Sequence, residues 1–100
     1  MAKVTECKKR YRNVVGPQIA RARSANGLTQ DALAAKLQIL GLESIDNIGV
    51  SKIENQVRSI YDYELQLIAQ ILGLTLDKLY PPIEETKAAL EDLKKGYRNY

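Results

Sequence analysis

The chain of 100 residues has no histidine, no tryptophan and no phenylalanine, and a single cysteine, Cys7. Each absence excludes something. Without His, the commonest general base and the commonest zinc ligand are missing, which argues against an enzyme and against a metal site. A lone thiol cannot close an intrachain disulfide, so the expected setting is reducing and cytoplasmic. No apolar run approaches the ~20 residues a membrane span requires. The first residues carry no apolar stretch of the kind a secretory signal needs. Gly41 and Gly49 stand too far apart for either common nucleotide-binding fingerprint. The acids and tyrosines show no spacing that joins a nucleophile to a base, and Cys7 has no His to pair with. The chain therefore reads as non-enzymatic, with no catalytic residue, cofactor or metal. A length that supports one domain leaves no second unit to sense a small-molecule effector.

What is present is a basic charge set unevenly along the chain. Residues 1–26 hold seven basic side chains (Lys3, Lys8, Lys9, Arg10, Arg12, Arg21 and Arg23) against Glu6 alone, whereas residues 27–100 hold eight basic and eleven acidic ones. A basic N-terminal arm on a near-neutral body suits a polyanion such as nucleic acid. The same asymmetry also fits a tail that is merely solvated.

The apolar spacing is helical throughout, and no strand-like alternation of useful length occurs. Residues 1–13 read as an arm. From Pro17, the positions Ile19, Ala20, Ala22 and Arg23 define one side of a helix that stops at Asn26-Gly27. Thr29 is a good N-cap, Asp31 suits the first turn, and Leu33, Ala34, Leu37 and Leu40 carry the pattern to Gly41. After a connector, Ser44 or Asp46 caps a short helix with Val50, Ile53 and Val57 inward. Leu65, Ile68, Ala69 and Leu72 form the next buried stripe, which Gly73 ends. Thr75 is expected to cap a fifth helix with Leu76 and Leu79 inward, closed by Pro81-Pro82. The last segment, 83–95, begins with Glu84 and Glu85 and ends with Lys94 and Lys95, the order the helix dipole prefers. The fold class is all-α.

The segment IGVSKIENQVR, 48–58, is unusual among these helices because its outer face carries Asn47, Ile48, Ser51 and Lys52 rather than a mix of Glu and Lys. Two short helices, 29–40 and 47–55, buttressed by others before and after, form a helix-turn-helix arrangement whose second helix can enter the DNA major groove. That groove is about 12 Å wide and admits one α-helix. Large acidic side chains there would be repelled by phosphate.

With those residues in view, GLTQDALAAKL (27–37), SKIEN (51–55) and LIAQILGLTLDKLY (67–80) resemble the phage-repressor and Cro-like helix-turn-helix family, also called the XRE family. The likeness covers roughly residues 14–80 and rests on three motifs in the right order. It implies a five-helix, lambda-repressor-like DNA-binding domain at 14–80, with the arm at 1–13 and an additional amphipathic helix at 81–100. It also implies a sequence-specific regulator of transcription, a repressor, that binds double-stranded DNA as a homodimer. By the resemblance, Gln30 touches phosphate and braces the reading helix. Asn47, Ile48, Gly49, Ser51 and Lys52 face bases or nearby phosphates, and Asn55 and Arg58 grip phosphate. Arg23 and Glu54 match a pair tying the first helix to the third, which is structural in either case.

Three departures from the family pattern stand out. The connector, within ILGLESIDNI, is longer than the usual tight turn. Gly49 occupies a place usually held by a small polar residue, so either the backbone approaches DNA closely there or the helix starts at Val50. Gln56 stands where a Gly is frequent.

Each site residue also has a plainer reading. Asn can simply start a helix, Ile48 can pack in the core or a loop, and Ser51 and Lys52 can face water. Tyr61, Tyr63 and Tyr80 suit the core or its rim. In the tail, Ile83, Leu90, Leu93 and Tyr97 form an a/d-like seam. Too short for a coiled coil by itself, the seam either packs on its own domain or meets a second copy. The alternative function is a protein-interaction module, an antitoxin or adaptor that uses the same fold to hold another protein.

Overall fold

The computed structural model describes residues 11–98, and these are all-helical, with no strand among them. The order is α1 (Gly16–Ala25), α2 (Gln30–Ile39), α3 (Asn47–Glu54), α4 (Asp62–Leu72), a 3-10 turn (Leu76–Leu79), α5 (Ile83–Ala88) and α6 (Leu90–Arg98). The starts of α2 and α3 follow from their caps. Thr29 accepts a hydrogen bond from the Ala32 N–H at 3.0 Å, and Asp46, rather than Ser44, accepts one from the Gly49 N–H at 2.9 Å. At the start of α4 the Tyr61 N–H donates to Glu64 Oε1 at 3.0 Å, half of a capping box. Thr75 caps nothing, because its hydroxyl is spent on Asp77.

Helices α1 to α4 end in the left-handed turn that closes a Schellman motif. In α4 that position is Gly73 (φ 71), followed by a Leu74 N–H to Ala69 carbonyl bond of 3.0 Å. In α3 it is Gln56 (φ 66), the only non-glycine with positive φ among the described residues, and the Val57 N–H reaches the Lys52 carbonyl at 2.9 Å. Helix α3 therefore makes a tight exit without a glycine at that position. A side chain in that conformation costs about 1–2 kcal/mol. Gln56 offsets this by donating from Nε2 to the Asn13 carbonyl (3.1 Å) and by accepting from the Arg12 N–H (2.8 Å).

The core comprises Ile19 of α1, Leu33 and Leu37 of α2, Val50 and Ile53 of α3, Leu65, Ile68 and Leu72 of α4, and Leu79. The long connector, residues 40–46, is pinned to it by Ile45, which is fully buried and whose carbonyl accepts from Gln38 Nε2 at 2.8 Å. Three expected core residues lie outside. Leu40 follows the last residue of α2, Val57 lies beyond the left-handed turn that ends the phase of α3, and Leu76 opens the 3-10 turn; each is more than 40% exposed (45%, 46% and 44%).

Residues 11–13 do not belong to a free arm. Asn13 is buried, donating from Nδ2 to the carbonyls of Ile53 (3.1 Å) and Arg58 (2.8 Å) and accepting from the Gly16 N–H through Oδ1 (2.8 Å). The remainder of the arm, with Lys3, Lys8, Lys9 and Arg10, lies outside the described residues. In the tail, the seam is interrupted, since Ala89 separates α5 from α6 and puts Ile83 and Leu90 on different helices. Both are exposed, and the Tyr97 side chain lies outside the described residues.

Glu64 is buried and bound by both Nη atoms of Arg58 at 3.0 Å each. Burial alone would push its pKa up, but the Arg58 bonds and the Tyr61 N–H together outweigh burial and hold it below the ordinary carboxylate value. A depressed folded-state pKa gives stability that is complete above the unfolded value, about 4.3, and is lost as pH falls through the folded value. Urea midpoints followed from about pH 7 to pH 3 should therefore fall less steeply for Glu64→Gln than for the unsubstituted protein.

Candidate nucleic-acid interface

Helix α3 has one buried side and one bare side. Val50 and Ile53, three residues apart, face inward and are each 1% exposed. On the opposite side Asn47, Ile48, Lys52 and Asn55 are exposed and Ser51 is half-buried. At 100° per residue these five positions form one stripe along the helix, and no acidic side chain lies in it. Ile48, at 59% exposed, is not packed in the core or the connector. Lys52 makes no ion pair among the described residues. Asn55 donates from Nδ2 to the carbonyl and hydroxyl oxygens of Ser51 (3.0 and 3.3 Å), which leaves the Ser51 hydroxyl proton and the Asn55 Oδ1 directed elsewhere.

The reverse side is braced by charge. Glu54, the last residue of α3, accepts from Arg23 Nε (2.6 Å) and Nη2 (3.1 Å) and from Gln30 Nε2 (2.9 Å). Arg23 also donates from Nη1 to the Leu28 carbonyl at 2.7 Å. The first turn of α2 and the last of α3 are thus locked together. Gln30 takes the bracing place expected of it.

Arg58 Nη1 donates to Glu64 Oε1 (3.0 Å) and the Ser59 carbonyl (2.9 Å) and Nη2 to Glu64 Oε2 (3.0 Å), which ties the segment after α3 to α4 with three of the five N–H donors of the guanidinium. Sequence reasoning did not find Glu64, although its place three residues after the N-cap is the position from which an acid reaches back. Asn13 was missed as well, and no local pattern in the chain announces a three-way amide clasp.

Gly49 lies inside α3, which begins at Asn47 and not at Val50. A Cβ built there would meet Asp46 Oδ1 and the Ile45 Cγ2 methyl at 3.5 Å each, ordinary contacts. Gly49→Ala should therefore stabilise the fold by about 0.5–1 kcal/mol, read as a raised urea midpoint with unchanged slope.

No cluster of three or more potential metal-ligating side chains occurs among the described residues, nor any helix long and apolar enough to cross a membrane. Comparison with protein-family models, with curated proteins and with solved structures finds no match. The functional reading rests on the geometry of α2 and α3.

Proposed function

We propose that the chain is a sequence-specific double-stranded DNA-binding regulator of transcription, a lambda-repressor-like helix-turn-helix protein that represses in the cytoplasm. The observation that carries this reading is the acid-free outer stripe of α3, held rigid from behind by Val50, Ile53 and the Arg23–Glu54–Gln30 cluster. In the proposed complex α3 lies in the major groove. Asn47 pairs with adenine N6 and N7, Ile48 meets a thymine methyl, and Ser51 and Lys52 donate to base or phosphate oxygens. Gly49 lets the backbone come close, and Asn55 reaches phosphate at the exit of α3. The chain joins this body beside that exit, where the Arg12 N–H bonds the Gln56 carbonyl, so the basic residues upstream start from a point next to the groove. Two copies, with reading helices about 34 Å apart, match successive major grooves.

The test is selection of bound duplexes from a randomised pool at two salt concentrations. A near-palindromic site should emerge, with affinity falling steeply as salt rises. Lys52→Ala and Asn47→Ala should each relax base preference at one position by about 1–3 kcal/mol while leaving the rest of the site unchanged. Equal loss on every duplex would remove these residues from base reading, and no enrichment would sink the proposal.

A second reading is favoured by a different observation. Ile39 of α2 (83% exposed) and Leu40 just after it line a groove with Ile71 of α4, and Leu90 of α6 is also exposed. An antitoxin or adaptor would cover such apolar surface with another protein. Indifference to DNA, together with a co-purifying partner that protects Ile39 or Leu90, would favour it.

A further inference from the structure

We propose that the cavity between α1 and α5 binds a small zwitterion of the α-amino-acid class, independently of what α3 reads. Helix α5 has no buried residue. It adjoins the body across a cavity of about 220 Å³ lined by Pro17, Gln18 and Arg21 of α1, Glu85 and Thr86 of α5, and Gln56 at the exit of α3. A helix of six residues is not stable by its own hydrogen bonds, and here its inward side meets a space in place of packed side chains. An occupant of that space would bury the inward side and tie the tail to the body. Such a site needs no second domain.

The chemistry of the lining selects the ligand class. Arg21 and Glu85 both line the cavity, yet they form no ion pair with each other or with any other described residue. Arg21 is nevertheless oriented. Its Nε and Nη2 donate to Gln18 Oε1 at 3.2 and 2.7 Å, which leaves three of the five N–H donors of the guanidinium uncommitted. Those donors suit a carboxylate, and the Glu85 carboxylate suits an ammonium group. Val14, Pro17, Pro81 and Ala89 add apolar lining. A ligand of one charge would satisfy one of the two side chains and cover the other unmatched. An α-amino acid carries both charges on one carbon, with a side chain for the apolar part. Arg21 and Glu85 are exposed, so water weakens both contacts and the affinity is modest.

The test is titration of the isotopically labelled full chain with each of the common amino acids, followed through amide chemical shifts. At least one should give saturable shifts at Gln18, Arg21, Gln56 and Thr86, with a dissociation constant of about 1–10 mM. Its analogues lacking the amino or the carboxyl group should bind about tenfold more weakly. Because both charged side chains are exposed, Arg21→Gln and Glu85→Gln should keep the fold, read as an unchanged far-UV circular dichroism spectrum. Arg21→Gln should bind the amino acid no better than the amine that lacks its carboxyl group. Glu85→Gln should bind it no better than the acid that lacks its amino group. Absence of saturable shifts at these positions with every amino acid, at concentrations well above that constant, would overturn the proposal. So would binding that both substitutions leave unchanged. No duplex enters the experiment, so its failure leaves the DNA-binding reading intact.

Discussion

Gly16→Ala is expected to destabilise the protein by about 3 kcal/mol or more, enough to abolish cooperative unfolding in a marginally stable domain. Gly16 begins α1 where that helix abuts the end of α3. A Cβ there would be driven into the Ile53 carbonyl oxygen and would stand 2.8 Å from that of Glu54. Both obstacles are backbone atoms, so no rotamer change relieves the contact. The Glu54 side chain is engaged by Arg23 and Gln30, and the Ile53 carbonyl by Asn13. Separating α1 from α3 would thus strain two polar clusters along with the packing. Circular dichroism during urea titration tests this. A variant with an unchanged midpoint would mean that the two helices part more easily than their bonds imply.

Glu54→Ala is expected to cost about 3–5 kcal/mol, because it strands a guanidinium inside the fold. The Arg23 side chain is 16% exposed and Glu54 6% exposed. The Glu54 hydrogen bonds push the Arg23 pKa upward against the opposing effect of burial; with Glu54 gone the arginine still stays charged, because a guanidinium ordinarily titrates far above neutral pH. The loss should be recovered in part by Arg23→Ala in the same chain, since the double variant leaves no buried charge behind. Strict additivity of the single losses would mean that the pair is not coupled. Because Glu54 also orients Gln30, the single substitution should loosen α3 against α2 without touching the outer stripe.

Sequence made much of this architecture legible because the apolar spacing in each helix has one solution. Val50 and Ile53 can both be buried only if Asn47, Ser51 and Lys52 face out, and Leu65, Ile68 and Leu72 fix the roll of α4 in the same way. Thr29 and Gly73 marked their helix boundaries through side-chain and backbone chemistry that is local. The misses occur where the periodic frame ends. Leu40 and Val57 lie past a helix terminus, so the helical phase no longer says which way they point. The interruption at Ala89 falls in a run of good helix formers, where no residue signals a break. Gly16 drew no notice in the sequence, because its necessity is set by carbonyls some 40 positions away in the chain. In the candidate interface, exposure of the stripe followed from burial of its opposite side, but the engagement of Arg58 with Glu64 did not, because a basic residue after a helix has the same local appearance paired or free.

The Asn13 amide joins the chain ahead of α1, the last turn of α3 and the segment leading into α4 through three hydrogen bonds on one side chain. A consequence is that these segments cannot breathe independently. Fraying of α3 from its C-terminal end must release residues 11–13 at the same moment, so the opening becomes a single rare event in place of several frequent ones. Amides at that end should share one exchange rate set by the common latch, leaving the outer stripe rigid on the timescale of a molecular encounter.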